Sequence, residues 1–89
     1  MNNTPTFRGV AMSKNATGLW QAEYRRGLVT VSERGDGTFS WRIISLNSDP
    51  EWETYPEKLR RGAASTSQKA ANAAYKACKL LEKRGYWSP

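Results

Sequence analysis

The run Arg34-Gly35-Asp36-Gly37 is the feature that most constrains the fold. An Asp-Gly step between two runs of β-formers supplies the positive φ angles of a tight hairpin turn, and so makes the flanking runs antiparallel neighbours. Before it, Leu28 to Glu33 places Val29 and Val31 against Leu28, Thr30 and Ser32. After it, Thr38 to Ser45 places Phe39, Trp41 and Ile43 on one face and Thr38, Ser40 and Arg42 on the other. Period-two alternation of this kind marks strands with one buried face. A third run lies upstream, with Trp20, Ala22 and Tyr24 alternating against Gln21, Glu23 and Arg25, and Arg26-Gly27 turns it into the next strand. The expected unit is a three-stranded antiparallel meander. Lys58 to Ala63 adds a candidate fourth strand, since Leu59, Arg61 and Ala63 alternate with Lys58 and Arg60.

One helix follows. Ser65-Thr66-Ser67-Gln68 fits a capping box, in which the Ser hydroxyl takes a backbone N–H and the Gln reaches back. From Ser67 to Arg84 the chain is rich in Ala, Lys and Leu, and Gly85 stops the helix behind Lys83 and Arg84 at its negative end. At helical spacing Ala70, Ala74, Ala77, Cys78 and Leu81 share one face, opposite a stripe of Lys69, Asn72, Lys76, Lys79 and Lys83. So small an apolar face suits close packing on a sheet whose own residues are large, here Trp20, Tyr24, Phe39 and Trp41. The predicted fold is therefore α+β, a three- to four-stranded antiparallel sheet packed against one C-terminal α-helix. Residues 7–89 form a single domain behind a flexible lead-in of residues 1–6. Phe7-Arg8-Gly9-Val10 is a short edge strand or ordered arm, Leu46 to Pro56 is a loop, and the aromatic tail Tyr86 to Pro89 folds back onto the domain.

Composition narrows the function. The chain has 89 residues, one cysteine and no histidine. Without histidine the usual general base and metal ligand are missing, and one Cys gives no zinc ligand set. Gly35-Asp36-Gly37 is not followed by a helix with Lys-Ser/Thr, so it is not a phosphate-cradling loop. The expectation is a protein that binds rather than catalyses, with no cofactor, no metal and no small-molecule substrate. No run approaches the roughly twenty apolar residues of a membrane span, and the start of the chain lacks a secretory pattern. A cytoplasmic location with no membrane partner is expected, and Cys78 reads as a small apolar filler.

Charge points to a partner. Fourteen bases face eight acids, for a net charge of +6. Four of those acids, Asp49, Glu51, Glu53 and Glu57, sit in one proline-containing segment that holds no base. The rest of the chain is thus strongly basic, the electrostatic footprint of a nucleic-acid binder. Arg25, Arg26, Arg34, Arg42, Arg60 and Arg61 fall in strands or their turns. A sheet with a helix on one face leaves its other face to solvent, where arginine grips phosphates and reads groove edges. The candidate contact residues are Arg25, Arg26, Arg42, Arg60 and Arg61, joined by Lys76 from the lysine stripe. A second set, Trp52 and Tyr55 in the acidic loop and Trp87 in the tail, has the composition of a protein-interface hot spot, or of a lid over a small core.

Phe7-Arg8-Gly9-Val10, then Gly18-Leu19-Trp20-Gln21-Ala22-Glu23, resembles the opening of an AP2-type DNA-binding domain, and Ala73-Ala74-Tyr75 is similar to that family's helix. Related three-stranded modules occur at the N-termini of phage-type integrases. The resemblance implies three antiparallel strands backed by one helix, with the sheet in the major groove, and it implies that Arg8 and Trp20 take base- and backbone-contacting strand positions. The expected function is a small nucleic-acid-binding module, of the kind phages and mobile elements encode, acting as a monomer or weak dimer. The competing expectation is a protein inhibitor or adaptor, such as an anti-CRISPR or other anti-defence protein, that binds a host protein or nucleoprotein complex through Trp52, Tyr55 and Trp87.

Overall fold

The computed structural model describes residues 4–25, 27–45 and 52–85. Seven strands precede one helix: β1 (Thr6–Phe7), β2 (Val10–Ala11), β3 (Ser13–Lys14), β4 (Trp20–Tyr24), β5 (Gly27–Glu33), β6 (Phe39–Ser45), β7 (Arg61–Ala64) and α1 (Ser67–Lys83). β3 to β7 form a five-stranded antiparallel sheet in sequence order, and β1 and β2 form a separate hairpin. The α+β class and the meander agree with the sequence reading. The strand count is higher, because β3 and the β1–β2 hairpin are pieces of two residues each, too short to show periodicity.

Turn chemistry explains the hairpins. Between β5 and β6 only Gly37 takes a positive φ (+86°), not Asp36 as the Asp-Gly step suggested; the Gly37 N–H donates to the Arg34 carbonyl at 3.3 Å, and the Asp36 carboxylate accepts the Thr38 N–H at 3.0 Å. Between β1 and β2 the connection is Arg8-Gly9, both at positive φ (56° and 78°), since Phe7 already pairs with Val10. At the β4–β5 corner the turn starts one residue earlier than the sequence suggested. Gly27 already pairs with Tyr24, and Arg25 is the turn residue at φ 53°.

The core lies between the sheet and α1. Trp20, Tyr24, Val29, Val31, Trp41 and Ile43 are buried on one face of the sheet against Ala70, Ala71, Ala74, Ala77, Cys78 and Leu81 of the helix. Phe39 is partly buried and packs on the same cluster. Small helix residues let the backbones approach, and aromatic sheet residues fill the gap at interior density. In β7, Gly62 pairs with Trp41, and a Cβ there would sit 2.7 Å from the indole Nε1. The ring thus crosses the strand where a side chain is missing, a close approach that only glycine permits.

Three local expectations are corrected. The helix cap is Thr66, whose hydroxyl accepts the Lys69 N–H at 3.0 Å, not Ser65. Gln68 does not reach back along its own helix. Its side-chain carbonyl accepts the Thr6 N–H at 2.8 Å and its amide donates to the Thr6 carbonyl at 3.0 Å, tying β1 to α1. Pro5 is buried, and Phe7 packs edge-on against Tyr24 and Tyr75 at centroid distances of 6.2 and 5.5 Å, so Thr4 to Thr6 belong to the fold rather than to a loose lead-in. The last strand also starts later. Glu57–Leu59 is a 3-10 turn with Leu59 buried, and β7 holds only Arg61–Ala64. Lys58 and Leu59, which would have alternated in a strand, both lie in that turn instead. Gly85 ends the helix at φ 85°, its N–H on the Glu82 carbonyl at 3.0 Å, where the sequence puts the stop.

Candidate nucleic-acid interface

Register decides what the open face of the sheet carries. Ser13, Gln21, Thr30, Arg42 and Arg61 are successive partners across β3 to β7, one row on the side away from α1. Ser32, Ser40 and Ala63 form a parallel row, and Glu23, Leu28 and Ile44 a third. Arg42 lies on this face because Trp41 and Ile43 take the other. Arg61 joins it because Gly62 is the residue that faces Trp41. The two arginines are therefore directly opposite each other, a like-charge pair whose repulsion is partly offset at Arg61 by the Glu57 carboxylate.

Around this pair the open face is concave. A depression of about 840 Å³ is lined by Thr30, Ser32, Ser40, Arg42 and Arg61, with Arg34 reaching in from the β5–β6 turn and Glu57 and Lys58 from the 3-10 turn. The Ser32 and Ser40 hydroxyls lie 2.7 Å apart on its floor. Four cations and one carboxylate thus border a surface of hydroxyl groups. Trp20, Tyr24, Phe39 and Trp41 pack into the core against the helix, and of these only Trp41, with Leu19, also borders the depression. The face offers charged and neutral hydrogen-bond donors to an anion rather than stacking platforms to bases.

The other sequence-predicted residues go elsewhere. Arg25 leaves the expected face altogether: its Nε donates to Glu82 of α1 at 3.1 Å, on the helix side of the turn. Arg60 is half-buried and its Nε donates to the Tyr55 carbonyl at 3.1 Å. Lys76 is exposed on the outer side of α1, across the domain from the open face. Arg26 and Trp87 lie outside the described residues. Trp52 and Tyr55 pack on each other at 6.1 Å and on the core, which is the lid arrangement. Of the positions singled out by the family resemblance, Trp20 is buried facing α1 and Arg8 places its guanidinium 5.3 Å from the Tyr24 ring centroid.

Lys58 and the three hydroxyl residues were not among the candidates, and Glu57 was considered only as part of the acidic loop. Alternation alone put Thr30, Ser32 and Ser40 on the outer face. Their convergence with Arg34 and Lys58 depends on strand pairing and on a turn that the sequence read as strand.

Three titrating groups sit apart from this face. The Tyr24 hydroxyl donates to Glu82, which also meets Arg25 and, at 3.6 Å, Lys79. The Tyr24 hydrogen bond and the two cations hold the Glu82 carboxyl below its ordinary range. Burial first, and then the Glu82 contact, push the Tyr24 phenol up. Burial also pushes the Cys78 thiol up to about 12, consistent with an inert core filler. No helix among the described residues is long and apolar enough to cross a membrane. No protein family matches the chain, and neither does any curated protein or solved structure.

Proposed function

We propose that this protein is a non-enzymatic nucleic-acid-binding module whose working surface is the open face of the sheet, centred on Arg42 and Arg61. The observation that carries the reading is their placement. Two arginines face each other across β6 and β7, beside Arg34 and Lys58 and next to serine and threonine hydroxyls, with Glu57 offsetting the charge of one of them. Such a surface suits phosphodiester oxygens, which accept from guanidinium forks, ammonium groups and hydroxyls. Leu28 and Ile44, paired on the same face, add an apolar patch beside Arg42. Arg25 and Arg60 are engaged within the protein and drop out of the proposed contact set.

The test is binding to mixed-sequence duplex DNA, single-stranded DNA and RNA across a salt series, for the wild type and for Arg42→Glu/Arg61→Glu. Each phosphate contact contributes about −0.9 to the slope of log K against log salt on B-DNA. The double variant is expected to bind at least tenfold more weakly, with a slope shallower by about two contacts. Unchanged affinity in a variant that still folds removes the proposal. An absence of binding by the wild type near physiological salt turns attention to a protein partner. That reading draws on Trp52 and Tyr55, and their packing on the core leaves it with less support.

A further inference from the structure

Among the described residues, Arg61 is the cation of the depression that already holds an anion. Its Nε and Nη2 both reach Oε1 of Glu57, while Arg34, Arg42 and Lys58 have no carboxylate of the described residues within ion-pair distance. Glu57 is not on a loose loop. It opens the 3-10 turn Glu57–Leu59, its carbonyl accepts the Arg60 N–H at 2.9 Å, and the turn is anchored by the buried Leu59. The pair is open to solvent, with side chains 53 % and 59 % exposed, so an incoming anion can reach it.

A carboxylate and a phosphate present the same oxygen-edge chemistry to a guanidinium fork. We infer that in the free protein the Glu57 carboxylate occupies the place on Arg61 that a ligand phosphate takes on binding, so that Glu57 sets the affinity of the depression by competing for that guanidinium. The inference rests on the nucleic-acid reading for the identity of the phosphate. Binding is then an exchange of anions at Arg61 and a plain addition at Arg34, Arg42 and Lys58. It also explains how two facing arginines are tolerated: Glu57 neutralises one of them until the ligand does.

The experiment is a double-mutant cycle read by duplex DNA binding near physiological salt. Wild type, Glu57→Gln, Arg61→Gln and the double variant are compared. Exposed ion pairs are weak, so Glu57→Gln is expected to tighten binding by about two- to fivefold when Arg61 is present. In the Arg61→Gln background the same change is expected to gain nothing. An equal gain in both backgrounds would mean that Glu57 acts only through net charge, and overturns the inference. No gain in either also overturns it, and leaves the nucleic-acid reading standing if the wild type binds. A second arm follows the Arg61 Nε–H resonance by NMR during titration with inorganic phosphate alone. Phosphate is expected to move it, at lower concentration in Glu57→Gln. If that happens while the wild type binds no nucleic acid, the anion exchange stands and the nucleic-acid reading falls. A resonance indifferent to phosphate in both proteins refutes the exchange.

Discussion

Gly62→Ala tests how the aromatic layer fits under the short last strand. A Cβ at residue 62 would lie 2.7, 2.8 and 2.9 Å from Nε1, Cε2 and Cζ2 of Trp41. Ordinary contacts are about 3.5–4.0 Å, so the overlap approaches an ångström along one edge of the ring. The indole is only 6 % exposed, and β7 is held in register with β6 at Trp41 and Gly62. Relief requires moving either a buried ring or a paired strand. Overpacking of this kind costs about 1–3 kcal/mol, and the lower chain entropy of unfolded Ala returns about 0.4–1 kcal/mol. A net loss of about 1–2 kcal/mol is expected, which for a domain of this size lowers Tm by about 4–16 °C. Thermal and urea unfolding followed by circular dichroism measure it. Gly35→Ala is the control, because nothing lies within 4 Å of a Cβ there. Trp41→Phe in the Gly62→Ala background should cost less than it does alone, since the smaller ring relieves the clash. A Gly62→Ala protein as stable as the Gly35→Ala control would refute the close packing of Trp41 on β7.

Two other outcomes follow from the same contacts. Arg42→Thr removes one member of the facing arginine pair and installs a β-branched residue, so it should raise stability by about 0.2–1 kcal/mol while weakening nucleic-acid binding. The stability gain should shrink at high salt, and a lower Tm would contradict the repulsion. Glu82, with its carboxyl held down, contributes stability that is present above its ordinary value of 4.5 and is lost as pH falls below it. Tyr24 has the opposite sense: its phenol is raised above 10.0, so its contribution is lost as pH rises past that value. Glu82→Gln should therefore flatten the fall of Tm on the acid side relative to wild type. An unchanged acid limb in a Tm series against pH would show that the Tyr24–Glu82–Arg25 cluster does not couple to folding.

The outward face was the hardest part to read from residues alone. Alternation correctly separates Arg42 from Trp41 and Ile43, because the side-chain period of a strand is two whatever its neighbours are. Arg61 shares its face with Ala63, as the alternation implied, but not with Leu59: a 3-10 turn takes Leu59 into the core and frees Lys58 to line the depression. Arg25 was read as the last outward residue of its strand, but a two-residue turn needs a positive φ there, and the bend swings its guanidinium to Glu82 on α1. These errors sit at element ends, where one residue of register reverses the direction of a side chain.

Local chemistry by itself determined a good deal. The Asp36-Gly37 turn, the period-two strands on either side of it, and the run of helix formers from Ser67 stopped at Gly85 depend on contacts within a few residues, so they are legible without the rest of the chain. The mainly small apolar face of α1 also implied the large aromatic layer beneath it, because two surfaces that bury each other must share a volume. Tertiary structure alone decided which charges meet. Arg42 and Arg61 are 19 positions apart in sequence and become neighbours only through the β6–β7 register. Arg34 and Lys58 reach the same depression from separate turns, and Gln68 leaves its expected capping role to hold Thr6, 62 positions away. Solvation and propensity act residue by residue, whereas register and packing are properties of the whole sheet, and the candidate site is assembled from the latter.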